Sequence, residues 1–172
     1  EYMWEADPAF WGKTSPILFP FIGKLEGGVY RYEGREYAIE KHGFARDMDY
    51  IVTLQEKDRA VFAIESTEST LKKFPFPFYL EVEYKLEGNS ISEEIRVYNR
   101  GEKTMYFNLG GHPAFACPLV VDKESGGKRT DCFVKVYGVE GKDLESTQIN
   151  ISDGLLTGAK IPIQTQNNVF PI

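Results

Sequence analysis

Phe78-Tyr79-Leu80-Glu81-Val82-Glu83-Tyr84-Lys85-Leu86-Glu87 sets the fold class. Phe78, Leu80, Val82, Tyr84 and Leu86 fall on one side of a two-residue period, and Glu81, Glu83, Lys85 and Glu87 on the other, as in a strand buried on one face. Gly88-Asn89 turns the chain into residues 90–98, where Ile91, Ile95 and Val97 share a face and Glu93 is the exception. The pair predicts a β-hairpin. Asn99-Arg100-Gly101-Glu102 supplies another turn. Beyond it, Met105, Phe107 and Leu109 alternate with Tyr106 and Asn108, predicting a third strand over residues 104–109 and a meander ending at His112.

Period two continues on both sides. Residues 29–32 and 36–40 flank Glu33-Gly34-Arg35, and residues 50–54 and 60–66 flank residues 55–59, so two more hairpins are expected upstream. Residues 65–74 are read as a loop with one helical turn, because Pro75 and Pro77 stop any helix there. Downstream, Ser125-Gly126-Gly127-Lys128 reads as a turn or loop, residues 132–137 as a strand, and residues 149–172 as short strands broken by Gly and Pro. Many short antiparallel strands in one domain over residues 1–172 argue for an all-β sandwich, with functional residues on its loops and concave face.

Composition bounds the function. The chain has 172 residues and is 14% aromatic, enough for one core, and its net charge of -6 gives no basic footprint for nucleic acid. No apolar run reaches membrane-spanning length, so a membrane partner is not expected. Cys117 and Cys132 lack metal-ligand spacing, and two cysteines make no disulfide framework; a reduced, cytoplasmic setting fits, with no metal.

The chain uses histidine twice, each time beside glycine: Lys41-His42-Gly43-Phe44-Ala45-Arg46-Asp47 and Asn108-Leu109-Gly110-Gly111-His112-Pro113-Ala114-Phe115. Imidazole beside a residue that lets backbone approach a ligand invites an acid/base reading. Plainer readings stand beside it. Pro113 would fix His112 as extended backbone, His42-Gly43 could be a turn, and Arg46 with Asp47 and Asp49 could be a solvated cluster. Trp11, in the loop before Ser15-Pro16, is a better candidate than Trp4 for stacking on a ligand, although aromatics in β proteins are normally core.

Four segments carry a resemblance. Ser15-Pro16-Ile17-Leu18-Phe19-Pro20-Phe21-Ile22-Gly23-Lys24-Leu25, His42-Gly43-Phe44-Ala45-Arg46, Phe74-Pro75-Phe76-Pro77-Phe78 and Gly110-Gly111-His112-Pro113-Ala114-Phe115 occur in an order that resembles the aldose 1-epimerase (galactose mutarotase) family, in its LacX-like branch. The resemblance implies an antiparallel supersandwich, here incomplete and truncated at both ends. It implies a cofactor-independent isomerase that interconverts the α and β anomers of an aldose or phosphorylated aldose. Mutarotation removes a proton from the anomeric hydroxyl and supplies one to the ring oxygen, so it needs a base and an acid together.

By similarity His112 is the acid toward the ring oxygen, and His42 binds and polarises the substrate around that oxygen. Arg46 resembles an arginine used in binding phosphorylated hexoses, and Lys24 stands where the family usually has arginine, replacing a planar fork by a point charge. The base, a glutamate, is expected beyond Ile172, leaving these residues with little activity of their own. Both histidines are expected to face one cleft. A small-molecule sugar is the expected ligand, and an incomplete sandwich would need self-association or another chain to cover its edges. The rival reading is a non-catalytic carbohydrate-binding or regulatory module of the same fold.

Overall fold

The protein is described from a computed structural model that places residues 2–117, 133–135, 147–152, 155–162 and 169–171. The turn expected at Ser125-Gly126-Gly127-Lys128 lies outside the described residues. The chain divides into two compact units, Ile17–Gly110 and the combination of Glu1–Pro16 with Gly111–Ile172.

The Ile17–Gly110 unit is built on β1 (Ile17–Leu18), β2 (Val29–Tyr32), β3 (Arg35–Ala38), β4 (Ile51–Gln55), β5 (Arg59–Glu65), a short helix α1 (Glu68–Lys73), β6 (Phe78–Glu87) and β7 (Ser90–Asn99). β4, β5, β6 and β7 form one antiparallel sheet in sequence order. The hairpin read from the sequence has its expected register: Glu87 pairs with Ser90 across Gly88-Asn89, and Phe78 with Asn99 at the far end. Phe78, Leu80 and Val82 are essentially inaccessible, so this side of the period is core as far as Val82, while Leu86 and, across the turn, Ile91 are exposed. The exception, Glu93, is exposed at the end of that face and accepts a hydrogen bond from the Tyr84 hydroxyl at 2.8 Å. Burial and the Glu93 carboxylate both push the Tyr84 hydroxyl upward in pKa.

The opposite side of β6 is not simply wet. Glu83 is 8% exposed and lies between Arg59, whose Nε donates at 2.6 Å, and Arg96, whose Nη2 is 2.9 Å away. Bonds from Arg59 and then Arg96 hold the Glu83 carboxyl down at about 2. A carboxylate can be buried here because both charges beside it are guanidinium forks.

β2 and β3 form a separate hairpin, closed through Glu33 and Gly34 with φ of 47° and 76°. Positive φ at both loop positions is what a two-residue hairpin turn demands. α1 is a six-residue helix where one helical turn was expected. Thr67 and Thr70 cap its start reciprocally: Thr70 N–H donates to Thr67 Oγ1 at 3.2 Å and Thr67 N–H to Thr70 Oγ1 at 2.8 Å. The helix ends at Lys73, before Pro75, as expected.

Residues 104–109 do not form the predicted third strand; only β8 (Gly110–Gly111) is paired as a strand. The turn at residues 99–103 leads the chain off the sheet. Arg100 N–H donates to the Pro77 carbonyl and the Asn99 side chain to the Lys103 carbonyl, after which Asn108 N–H bonds the Pro20 carbonyl at 2.8 Å. The alternation of residues 105–109 reflects packing: Met105 and Leu109 lie against the core, and the Phe107 ring is 5.6 Å from Phe19.

Phe19 is the hub of that core. Its ring, fully buried, lies 5.0 Å from Phe78, 5.7 Å from Phe74 and 6.3 Å from Phe44. In Phe74-Pro75-Phe76-Pro77-Phe78 the three rings are buried at alternate positions. Three of the four segments that carried the family resemblance, those containing Phe19, Phe44 and residues 74–78, therefore converge on one aromatic cluster, worth roughly 0.5–1.5 kcal/mol per ring pair beyond area burial.

In the second unit, residues 2–4 run beside residues 114–116. Met3 bridges Phe115 antiparallel, Trp4 N–H donates to the Ala114 carbonyl and Ala116 N–H to the Tyr2 carbonyl. Its described residues also include β9 (Phe133–Lys135), β10 (Thr147–Ser152), β11 (Leu155–Pro162) and β12 (Val169–Pro171), with β10 antiparallel to β11 and β9 to β12. β9 lies within the strand read over residues 132–137 and β11 and β12 within residues 149–172, while β10 begins two residues before that region, at Thr147. No described helix is long and apolar enough to cross a membrane.

Candidate functional site

His42 occupies the third position of a tight turn closed by Gly43 N–H to the Glu40 carbonyl at 2.9 Å. Its φ is 69° and that of Gly43 is 72°. Gly or Asn is usual at such a position, so a histidine there is backbone strain of about 1–2 kcal/mol. Gly43 is obligatory for a second reason. A Cβ on it would lie 2.2 Å from the Phe19 carbonyl oxygen, to which Phe44 and Ala45 donate their N–H groups. The turn is pressed against the backbone of Phe19-Pro20, whose peptide bond is cis.

Gly23 holds the His42 residue from the other side. His42 N–H donates to the Gly23 carbonyl at 2.9 Å, and Gly23 N–H donates to His42 Nδ1 at 3.0 Å. An Nδ1 that accepts leaves the proton of the neutral ring on Nε2, making His42 a hydrogen-bond donor through Nε2. The ring is half-buried. Lys24, the next residue, is exposed. Nothing in the residue types marks Gly23 as the partner of His42; its position beside Lys24 within residues 15–25 is the one signal.

Arg46 lies in a single 3-10 turn, Ala45–Asp47. Its side chain is 22% exposed; Nη2 donates to the Lys41 carbonyl at 2.9 Å, and Nε sits 3.4 Å from Asp47 Oδ2 without a hydrogen bond. Glu40, which opens the His42 turn, is paired with Lys73, and this bond holds its carboxyl below the usual value. A groove of ≈ 380 Å³ in the same unit is lined by Phe21, Tyr30, Tyr32, Phe76 and Tyr106, away from His42.

His112 and Trp11 belong to the other unit. His112 is exposed, with its ring 5.1 Å from Trp11 at a tilt of 46°. The backbone fixes both. His112 N–H donates to the Pro16 carbonyl at 3.1 Å and Ala114 N–H to the Thr14 carbonyl at 2.8 Å, while Trp11 accepts from Trp4 Nε1 at 2.8 Å and donates to the Asp7 carbonyl. Of the two tryptophans, Trp11 is thus the one against the histidine, and Trp4 braces it. Gly110 is packed against Ile22, whose Cδ1 would lie 3.0 Å from a Cβ there and would have to shift. Two of the predicted residues, His112 and Trp11, are in contact; Lys24, His42 and Arg46 are grouped in the Ile17–Gly110 unit, with Gly23 between Lys24 and His42.

Comparison with known proteins bears on this arrangement. The profile of the family described as Aldose 1-epimerase matches residues 1–162. Protein LacX of Lactococcus lactis subsp. lactis is 37% identical over 155 residues, 87% of this chain and 49% of that protein. A galactose mutarotase related enzyme from Lactobacillus acidophilus superposes with a TM-score of 0.85 at 31% identity, over 100% of this chain and 55% of its own. A galactose mutarotase-like protein from Lactobacillus casei ATCC 334 gives 0.82 at 34% identity, over 100% of this chain and 57% of its own. The all-β antiparallel class is that of these neighbours, whose galactose mutarotase-like fold is a β-sandwich. The chain spans about half the length of the curated relatives it matches.

Proposed function

The chain belongs to the aldose 1-epimerase family, and from that premise we propose that the protein interconverts the α and β anomers of an aldose by acid/base ring opening. In the reaction a base takes the anomeric hydroxyl proton, the bond from C1 to the ring oxygen breaks, and an acid delivers a proton to that oxygen. The open-chain carbonyl then rotates and the ring recloses on either face, the acid taking its proton back.

His112 is the acid in this scheme. The observation that carries the assignment is its position: exposed, on a backbone tied to Pro16, with one face against Trp11. An acid that gives and regains a proton needs access to substrate and a fixed ring, and this arrangement supports both. Trp11 offers an apolar flank for the C–H face of a sugar. His42 is the binding and polarising residue, donating from Nε2 to a substrate oxygen because Gly23 occupies Nδ1. Lys24 is proposed as a substrate contact through a single compact charge, and Arg46 serves the turn that carries His42. No carboxylate of residues 2–117 is assigned as the base. The chemistry balances without a redox or metal cofactor.

The test is polarimetry on freshly dissolved α-glucose and α-galactose, free and 6-phosphorylated, with the intact protein. The proposal predicts equilibration well above the spontaneous rate for at least one of them. Saturable sugar binding by folded protein without acceleration would instead establish the carbohydrate-binding module.

A further inference from the structure

We propose that Arg46 is a positioning residue for His42, holding its turn in the strained backbone that presents the ring, and that it does not serve as the ligand for a substrate phosphate. The inference rests on the role given to His42 above and adds a residue to it. A non-glycine residue at φ 69° persists only where its surroundings over-determine it. Three contacts do so here. The Gly23 carbonyl accepts from the His42 N–H, and the Gly23 N–H donates to His42 Nδ1. Gly43, free of a Cβ, lets the turn close against Phe19. Arg46 Nη2 reaches back five residues to the Lys41 carbonyl, in the peptide that enters His42.

This bond engages the Nη2 end of the guanidinium at the surface. Its side chain is only 22% exposed and its Nε is buried beside Asp47, which itself neutralises part of the charge. A phosphate ligand would need the fork unengaged and unopposed. Without the clamp the Lys41–His42 peptide can relax, and the ring loses the tautomer and aim that its bond to Gly23 enforces.

The experiment uses Arg46→Ala and Arg46→Lys in the intact protein, with two readouts. In ring-nitrogen NMR of ¹⁵N-histidine-labelled protein, His42 is identified by its disappearance in His42→Gln. Wild type is expected to show Nδ1 unprotonated and Nε2 protonated; Arg46→Ala should average the two nitrogens, and Arg46→Lys, which keeps a donor for the Lys41 carbonyl, should restore part of the wild-type pattern. In the mutarotase assay Arg46→Ala should lower kcat about tenfold to a hundredfold, equally for free and 6-phosphorylated hexoses, with KM little changed. An Arg46→Ala protein with an unaltered His42 tautomer would overturn the proposal, as would a rise in KM confined to phosphorylated substrates. If Arg46→Ala does not fold, a wild-type tautomer in Arg46→Lys combined with such a KM rise overturns it equally. Absence of all mutarotase activity counts against the proposed function alone, since the NMR readout still decides the clamp.

Discussion

Glycines at positive φ look alike in a sequence and differ sharply in the structure. Gly43 and Gly34 have φ of 72° and 76°, but a Cβ on Gly43 would strike the Phe19 carbonyl while one on Gly34 would meet nothing within 4 Å. Gly34→Ala should therefore destabilise by the conformational term alone, about 1 kcal/mol, and Gly43→Ala by more than about 3 kcal/mol through added backbone overlap. Urea unfolding of the two variants measures the difference directly. Glu83 makes a second prediction at this scale. Its folded pKa is depressed to about 2 from an ordinary 4.5, so its ion pairs add stability that is fully present above pH 4.5 and is lost as the pH falls toward 2. The stability gap between wild type and Glu83→Gln should be constant at neutral pH and close over that acid window; a gap independent of pH would contradict the pairing with Arg59 and Arg96. Residue type and neighbours singled out His42, His112 and Trp11, and the family resemblance added Arg46 and Lys24. Neither revealed Gly23 as the partner of His42 Nδ1, because a backbone N–H leaves no mark on residue identity.

Strands were legible wherever alternation and hydrogen bonding coincide. β6 and β7, with ten residues each, kept the expected faces, and the turn at Gly88 set their register. Residues 104–109 show the limit of the method: Met105, Phe107 and Leu109 alternate because they pack on the core around Phe19, while their backbone bonds go elsewhere. Period two reports burial, and a ladder must be inferred from it. The α1 helix was underestimated because Thr70 at the third helical position completes a capping box usually made with Glu or Gln. Thr67→Ala removes that cap and should cost about 1 kcal/mol of stability, read from thermal or urea unfolding, whereas Thr67→Asp should cost little. An Ala variant as stable as wild type would show that packing against the sheet alone holds the helix.

For the whole molecule, the ordered segments carry the family resemblance in the sequence itself, and the structure explains why they can. Phe19, Phe44, Phe74 and Phe78 are core residues, so much of the familiar pattern is the packing signature of the fold, with His42, Arg46 and His112 carried beside it. Recognition of the fold and assignment of chemistry are thus separate inferences. The chain matches the family over residues 1–162 and spans about half of its curated relatives, so the proposed activity belongs to the intact protein. In the proposed activity His112 supplies the proton to the ring oxygen. The most direct measurement is the kcat of His112→Ala and His112→Asn against wild type, followed by polarimetry on an accepted α-aldose, with folding checked by unfolding midpoint. The account predicts a loss of about a hundredfold or more in kcat with the midpoint little changed; folded His112 variants that equilibrate the sugar at the wild-type rate would contradict it.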